Sequence, residues 1–492
     1  MLTISLILLP LLASLILFLL KDKKGSHVLA LGVSLVELLL GIIALVGFDK
    51  GVARNFPFDA VWIKTMGISF SFGMNGLSFL LVMLTVALVP LIILTTFHHE
   101  NKYSSSFYGL ILLMQSALVG VFTSCDGFLF YIFWEMALIP IYFICGLWGG
   151  ENKIKITLKF FIYTMLGSLF MLAGLIWLYL NTPAPHSFAI DALVFEPLQP
   201  NEQLWVFLAF FLAFAIKIPV FPFHSWQPDT YTVAPAAGSM LLAGIMLKMG
   251  LYGILRFLLP SCGYTAMHYG PVVMVLAITG LLYGSVIAIR QKEVKRLIAY
   301  SSFAHVGLMT AALFALNLDA LQGTVYQMIS HGFNVMALFF IADIIQRRTN
   351  TLQISELGGI AKVAPRFAVF FMVVMLGSVA LPLTNGFIGE FLMLVGLVQY
   401  SFYVTAVAGI SIILGAVYMF WLYQRTMYGE TKPITATFAD LTRNELWVAV
   451  PLIIIIVVMG VYPKPILEIA KPTVESILFS LKPLKAAIIP VL

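Results

Sequence analysis

The stretch AFAIKIPVFPFHSWQPDTYTVAPAAGSMLLAGIMLKMGLYG, residues 213–253, decides the fold. It is apolar over most of its length, yet it carries Lys217 and Lys248, and Pro219 and Pro222 follow the first lysine directly. A soluble core rejects unpaired lysines, and a soluble surface rejects so much apolar bulk. A membrane bundle accommodates both, because charges inside it face the protein interior and mark function. Outward from this stretch, 61% of the 492 residues are hydrophobic and only 10% are charged, against roughly a quarter charged in a soluble domain. Apolar runs of about 18 to 25 residues recur from end to end, each able to cross roughly 30 Å of hydrocarbon as a helix. Barrel strands would be about ten residues long with alternating polarity. The expected fold is therefore an all-α polytopic membrane protein with about fourteen transmembrane helices. Their starts are expected near Leu2, Val28, Leu77, Phe107, Phe128, Leu158, Trp205, Pro235, Val272, Leu297, Leu321, Phe367, Val404 and Trp447.

The first run, residues 2–20, is followed and not preceded by basic residues (Lys21, Lys23, Lys24), so it reads as a retained helix with its N-terminus outside. Alternation then makes the odd-to-even loops cytoplasmic. These loops, among them KDKK at Lys21, ENKIKITLK around Lys153, RQKEVKR from Arg290 and QRR at Arg347, together hold about 18 of the 28 Lys and Arg. The opposite loops are poor in bases and include the acidic residues 191–202. By the positive-inside rule both termini fall on the periplasmic side of a bacterial inner membrane. The net charge of +6 is thus a topology signal, spread through short loops, and no nucleic acid is expected. Cys125, Cys145 and Cys262 stand singly, so no disulfide framework, metal site or redox cofactor is expected in this chain. The segment after Pro463, with Ile466, Leu467, Ile469, Ala470 and Val474, reads as a short amphipathic stretch on the outer surface.

Sliding the chain against itself by 163 residues superposes Tyr163 on Tyr326, Met165 on Met328 and Pro219 on Pro382. The same shift carries the starts of helices four to eight onto those of nine to thirteen. Five is odd, so two such units enter the membrane from opposite sides and form an inverted repeat. The expected organisation is residues 1–105 (helices one to three), 106–260 (first five-helix repeat), 270–428 (second repeat) and 429–492 (helix fourteen and tail). Pro219 with Pro222, and Pro382 in GSVALPLTNGFIGEF, lie inside apolar runs. A proline there removes a backbone bond, and freed carbonyls at membrane depth must be covered by protein or line a polar cavity. Helices seven and twelve are therefore expected to be discontinuous and to mark an ion path.

Charges at the bilayer centre cost at least about 2.5 to 3.5 kcal/mol each, so each needs a reason. Glu135 lies in FLFYIFWEMALIP, Lys217 before the first break, Lys248 in AGIMLKMGLYG and Glu390 after the second break. His305 in SSFAHVGLM and His331 in YQMISHGFNVM complete a row of groups that can all take and release a proton. A static ion pair orienting two helices is the competing reading of any single member. Glu37 lies off this row, where a partner contact or snorkelling accounts for it as well as transport does. Asp126, Asp343 and Arg256 sit near helix ends and read as interfacial. His224, with Trp226 and Asp229, falls in a loop where it either supports the break or admits protons. A membrane potential near 180 mV sets a proton cost of roughly 4 kcal/mol, at about 2.3 kcal/mol per 100 mV. An ion pair at about 4 Å is worth about 4 kcal/mol at an effective dielectric of 20. Making and breaking Glu135 with Lys217 can thus drive a proton to Lys248, through His331 and His305, and out past Glu390.

The segments FYIFWEMALIPIYFICGLWGG (130–150), KFFIYTMLGS (159–168), RLIAYSSFAHVGLM (296–309), QMISHGFNVMALFF (327–340) and LPLTNGFIGEF (381–391), together with the opening stretch, closely resemble a known family. It comprises the antiporter-like subunits of respiratory complex I and of multisubunit cation/proton antiporters, and the resemblance spans residues 70–430. It implies the fourteen-helix fold, proton translocation and membership of a large complex whose other subunits oxidise NADH and reduce quinone. It also implies a coupled Glu135–Lys217 pair, Lys248 as central residue and Glu390 as terminal residue. Glutamate at position 390, where the L and N types usually have lysine, points to the M-type branch. Expected partners are neighbouring antiporter-like subunits, the lateral helix of the L subunit, lipid and protons. The alternatives are a subunit of a cation/proton antiporter or of a hydrogenase-linked pump, and a structural scaffold, which would need no titratable groups at mid-membrane.

Overall fold

The computed structural model describes residues 1–20, 25–98, 104–194 and 198–488; Lys21, Lys23 and Lys24 of the expected basic loop lie outside them. Among the described residues, eleven helices are long and apolar enough to cross a membrane, from Leu2–Leu19 to Arg443–Val461. Pro200–Lys217, Val294–Leu313 and Pro365–Ser378 are further helices near the starts expected at Trp205, Leu297 and Phe367. Most helix starts fall within about a turn of the expected positions. The largest displacement is at Gly263–Arg290, which begins before Pro271 where Val272 was expected. Leu15, Ile43, Ile162, Leu166, Ile413 and Val458 point outward from these helices and stay exposed, as side chains that face lipid must.

Both expected breaks are present. The first helix piece ends at Lys217 and the chain resumes as Trp226–Val233. The second ends at Ser378 and resumes as Asn385–Tyr400. Backbone in the left-handed region marks the second gap, at Ala380 (φ 57°) and Leu383 (φ 73°). Side chains from other segments take up the freed carbonyls. Trp226 Nε1 donates to the Ile216 carbonyl at 2.9 Å, and Asn334 Nδ2 donates to the Gly377 carbonyl at 2.9 Å. Each break thereby has a polar partner for a freed carbonyl, while Leu381 and Leu383 of the second break stay exposed.

Three features depart from the sequence reading. Residues Asn55–Ile63 and Ile68–Met74 form an antiparallel hairpin between the second and third helices, with Phe58 opposite Phe72 and Ala60 opposite Phe70. Trp62 stacks on Phe70 at 4.7 Å, and the hydrogen bond from Arg54 holds the Asp59 carboxyl below the ordinary carboxylate range. The tail is a long amphipathic helix, Lys464–Ile488, which buries Ile469, Ala470, Val474, Ile477 and Leu481 against the bundle. Glu37, in the middle of Ser26–Gly47, is fully buried with both carboxyl oxygens unpartnered, so snorkelling does not describe it.

Candidate functional site

The hub is the 32-residue helix Leu318–Thr349, buried over most of its length and packed by Val294–Leu313, Pro365–Ser378, Asn385–Tyr400 and the helical run that carries Lys248. Gln327, His331 and Asn334 recur on it at helical spacing, so they share one inward face. Lys248 meets that face from a distorted helix. Leu242–Met246 and Ile254–Leu258 are π-turns flanking it. In the first of them the Leu247 amide bonds the Leu242 carbonyl, which leaves the Ala243 carbonyl to accept from Lys248 Nζ at 2.6 Å.

The same ammonium lies 2.9 Å from His331 Nδ1, and His331 Nε2 lies 3.1 Å from Ser302 Oγ. With Lys248 donating, Nδ1 accepts and Nε2 carries the hydrogen toward the serine. The His305 ring centroid is 5.9 Å from that of His331, and His305 Nδ1 is 2.9 Å from Glu390 Oε1. Gln327 Nε2 donates to the same carboxylate oxygen at 3.3 Å. Two cavities of about 10 Å³ each flank His305. One reaches His331 and Ser302 and the other Glu390, with Ser378, the last residue before the second break, lining both. Each is about the size of one water. Gln327 Oε1 and Asn334 Oδ1, on residues that line the first cavity, and Asn385 Oδ1 are buried without a protein hydrogen-bond partner.

Sequence reasoning placed Lys248, His331, His305 and Glu390 in one row, and the structure brings these four together. Glu135 and Lys217 form no ion pair within 4 Å among the described residues: one Glu135 oxygen is buried without a hydrogen-bond partner, and Lys217 Nζ lies 5.4 Å from the Trp134 ring centroid. His224, 9% exposed, is stacked between Phe221 and Phe303 with Tyr283 at its edge, so it fills the first break as an aromatic wedge. Asp229 pairs with Lys159 at 3.1 Å and Arg296 at 3.4 Å. Asp126 caps Gly127–Met136, accepting from the amides of Phe128 and Leu129. Asp343 pairs with Arg347 at 2.9 Å, and Arg256 lies 3.7 Å from Asp191, so these charges brace helix ends. Among the described residues no three His, Cys, Asp or Glu side chains converge as a metal-ligand set.

Ser302, Gln327, Asn334, Ser378 and Asn385 were missed. Their signal was available: Gln327, His331 and Asn334 fall at helical spacing in QMISHGFN. Gly332 fixes the approach of the two elements, since a methyl there would lie 2.9 Å from the Gly244 carbonyl oxygen. Gly332→Ala is expected to push the hub helix off the π-turn at a cost of about 1–3 kcal/mol. A lowered melting temperature of the purified assembly checks this, and an unchanged one refutes the close contact.

Residues 124–415 match the family described as NADH:quinone oxidoreductase/Mrp antiporter, TM. NADH-quinone oxidoreductase subunit M of Rickettsia conorii is 40% identical over 96% of this chain and 97% of its own length. NADH-ubiquinone oxidoreductase chain 4 of Marchantia polymorpha is 35% identical over 96% of both. A chain of respiratory complex I from Thermus thermophilus with bound NADH superposes with a TM-score of 0.91 at 31% identity, covering 98% of this chain and all of that one. A chain of the Mrp complex from Dietzia superposes with a TM-score of 0.87 at 18% identity, over 99% of this chain and 98% of its own, a likeness of fold.

Proposed function

The chain belongs to the NADH:quinone oxidoreductase/Mrp antiporter family of membrane subunits, and from this premise we propose that its buried polar row is a proton path coupled to quinone reduction elsewhere in the complex. Its similarity throughout to subunit M makes it a proton-translocating membrane-arm subunit of that oxidoreductase, set among other membrane-arm subunits. We propose further that the chain holds no redox cofactor, sits in the bacterial inner membrane and has both termini outside.

The observation that carries the mechanism is the continuity of Lys248, His331 and Ser302 on one side of a water-sized cavity with His305 and Glu390 on the other. In the proposed sequence Lys248 hands its proton to His331 Nδ1 as the Nε2 proton leaves through Ser302 to water in the first cavity. His305 receives a proton from that water and passes its Nδ1 proton to Glu390, beside the second break. Glu135 and Lys217 form the proposed switch. Approach of the carboxylate would hold the lysine's proton, and retreat would free it, with an energy of about 4 kcal/mol that matches the work against the membrane potential.

Ser302→Ala removes one relaying hydrogen bond, worth about 1 kcal/mol, and is expected to slow proton uptake roughly fivefold. Proton uptake in liposomes carrying the assembled complex checks this; an unchanged rate removes the serine from the path. The family assignment is tested by purifying the tagged chain in mild detergent and assaying the intact assembly. NADH:quinone oxidoreduction with proton uptake is expected. Sodium-dependent antiport without NADH oxidation would move the chain to the antiporter branch, against which the glutamate at position 390 speaks.

A further inference from the structure

We propose that the basic cleft at one rim of the second half of the bundle binds the phosphate-bearing headgroup of an anionic phospholipid. The cleft has a volume of about 1030 Å³ and is lined by Arg290, Lys292, Arg425 and Lys432, with Trp421, Tyr428 and one carboxylate, Glu430. None of the four bases joins an ion pair among the described residues. Arg347 and Arg348, from another of the basic loops, are by contrast neutralised by Glu445 at 2.9 and 2.5 Å. Orienting the chain requires basic loops; it does not require four open cations to converge on one cleft.

Depth and rigidity favour a lipid. Arg290 ends the span Gly263–Arg290, and Trp421 and Arg425 occupy the last turns of Phe402–Met427, so the cleft lies where spans leave the hydrocarbon. Trp421 and Tyr428 are exposed amphipathic rings of the kind that sits at headgroup level, and the Arg425 guanidinium lies 5.3 Å over the Trp421 ring. The floor is preformed by backbone bonds from Ile354 to Lys292 at 2.8 Å, Val294 to Leu352 at 3.0 Å and Gly359 to Tyr428 at 3.0 Å. Lys432 Nζ is anchored on the Ser355 carbonyl. A basic pocket between membrane helices, aromatic at its rim and open to the headgroup layer, matches the chemistry of an anionic glycerophosphate.

The test uses the intact complex with photoactivatable phosphatidylglycerol and a phosphatidylcholine probe of identical chains, with labelled peptides mapped by mass spectrometry. The proposal expects the anionic probe to label residues 417–432, the zwitterionic probe to label them far less, and excess inorganic phosphate to leave the labelling in place. Combining Arg290→Gln, Lys292→Gln, Arg425→Gln and Lys432→Gln should raise the half-saturating concentration of the anionic probe roughly a thousandfold, about 4 kcal/mol at about 1 kcal/mol per charge lost. Arg290→Lys with Arg425→Lys should keep the capture. Equal labelling by both probes overturns the proposal, and so does full competition by phosphate, which would make this a free-anion site. Absence of labelling in the wild-type complex, with a neighbouring subunit lost from the fourfold variant, also overturns it and makes the cleft a subunit contact. The wild-type comparison does not depend on any variant folding.

Discussion

Replacing Lys217 with alanine is expected to abolish proton pumping while the subunit still inserts and assembles. Lys217 is 3% exposed at the end of the first half-helix, with its ammonium against Trp134. Removing it takes a charge out of the membrane, so insertion becomes easier. What is lost is the group whose hold on a proton Glu135 controls. Without it a proton entering the row meets an unstabilised step of about 2.5–3.5 kcal/mol, which slows transfer about a hundredfold. Lys217→Arg separates charge from chemistry. A guanidinium keeps the positive charge and never gives up its proton at working pH. Proton uptake in liposomes should be lost in both variants; retained uptake in the arginine variant would assign the lysine a purely electrostatic role.

Lys248 is the second position of large effect. Its ammonium bridges the Ala243 carbonyl and His331 Nδ1 and is fully buried. Lys248→Met fills nearly the same space without a proton to give. It leaves a carbonyl and an imidazole nitrogen unpartnered at membrane depth, at about 1–3 kcal/mol of stability, and it cuts the row in the middle. Pumping is expected to fall by about two orders of magnitude, with assembly weakened but present. Subunit content on native gels and proton uptake, measured together, separate the two losses. If uptake fell only in proportion to the assembled complex, Lys248 would be a structural residue.

The helices were legible because apolar run length dictates crossings in a bilayer, and both breaks were legible because Pro219 and Pro382 cannot continue a helix ladder. The ionisable members of the row were legible because an unexplained charge in such a run is costly. The hairpin was not read, although ISFSFGM alternates, because a short strand between two long apolar helices looks like a loop. The π-turns around Lys248 have no local signature and are set by packing against Leu318–Thr349. That Glu135 and Lys217 form no ion pair within 4 Å among the described residues is equally invisible, since sequence gives the members of a pair and not the state it is in. Asn334, which donates to the Gly377 carbonyl and lines one cavity, and Asn385, which donates to the Ser330 carbonyl, became meaningful only once the second break was placed.

The most direct test of the buried path is the number of protons taken up per NADH oxidised, in liposomes carrying the intact complex with wild-type chain, Lys217→Arg or Lys248→Met, at matched subunit content. The path predicts that both variants take up fewer protons per NADH oxidised than the wild type. An undiminished ratio in either would show that protons cross without passing these lysines, and would contradict it.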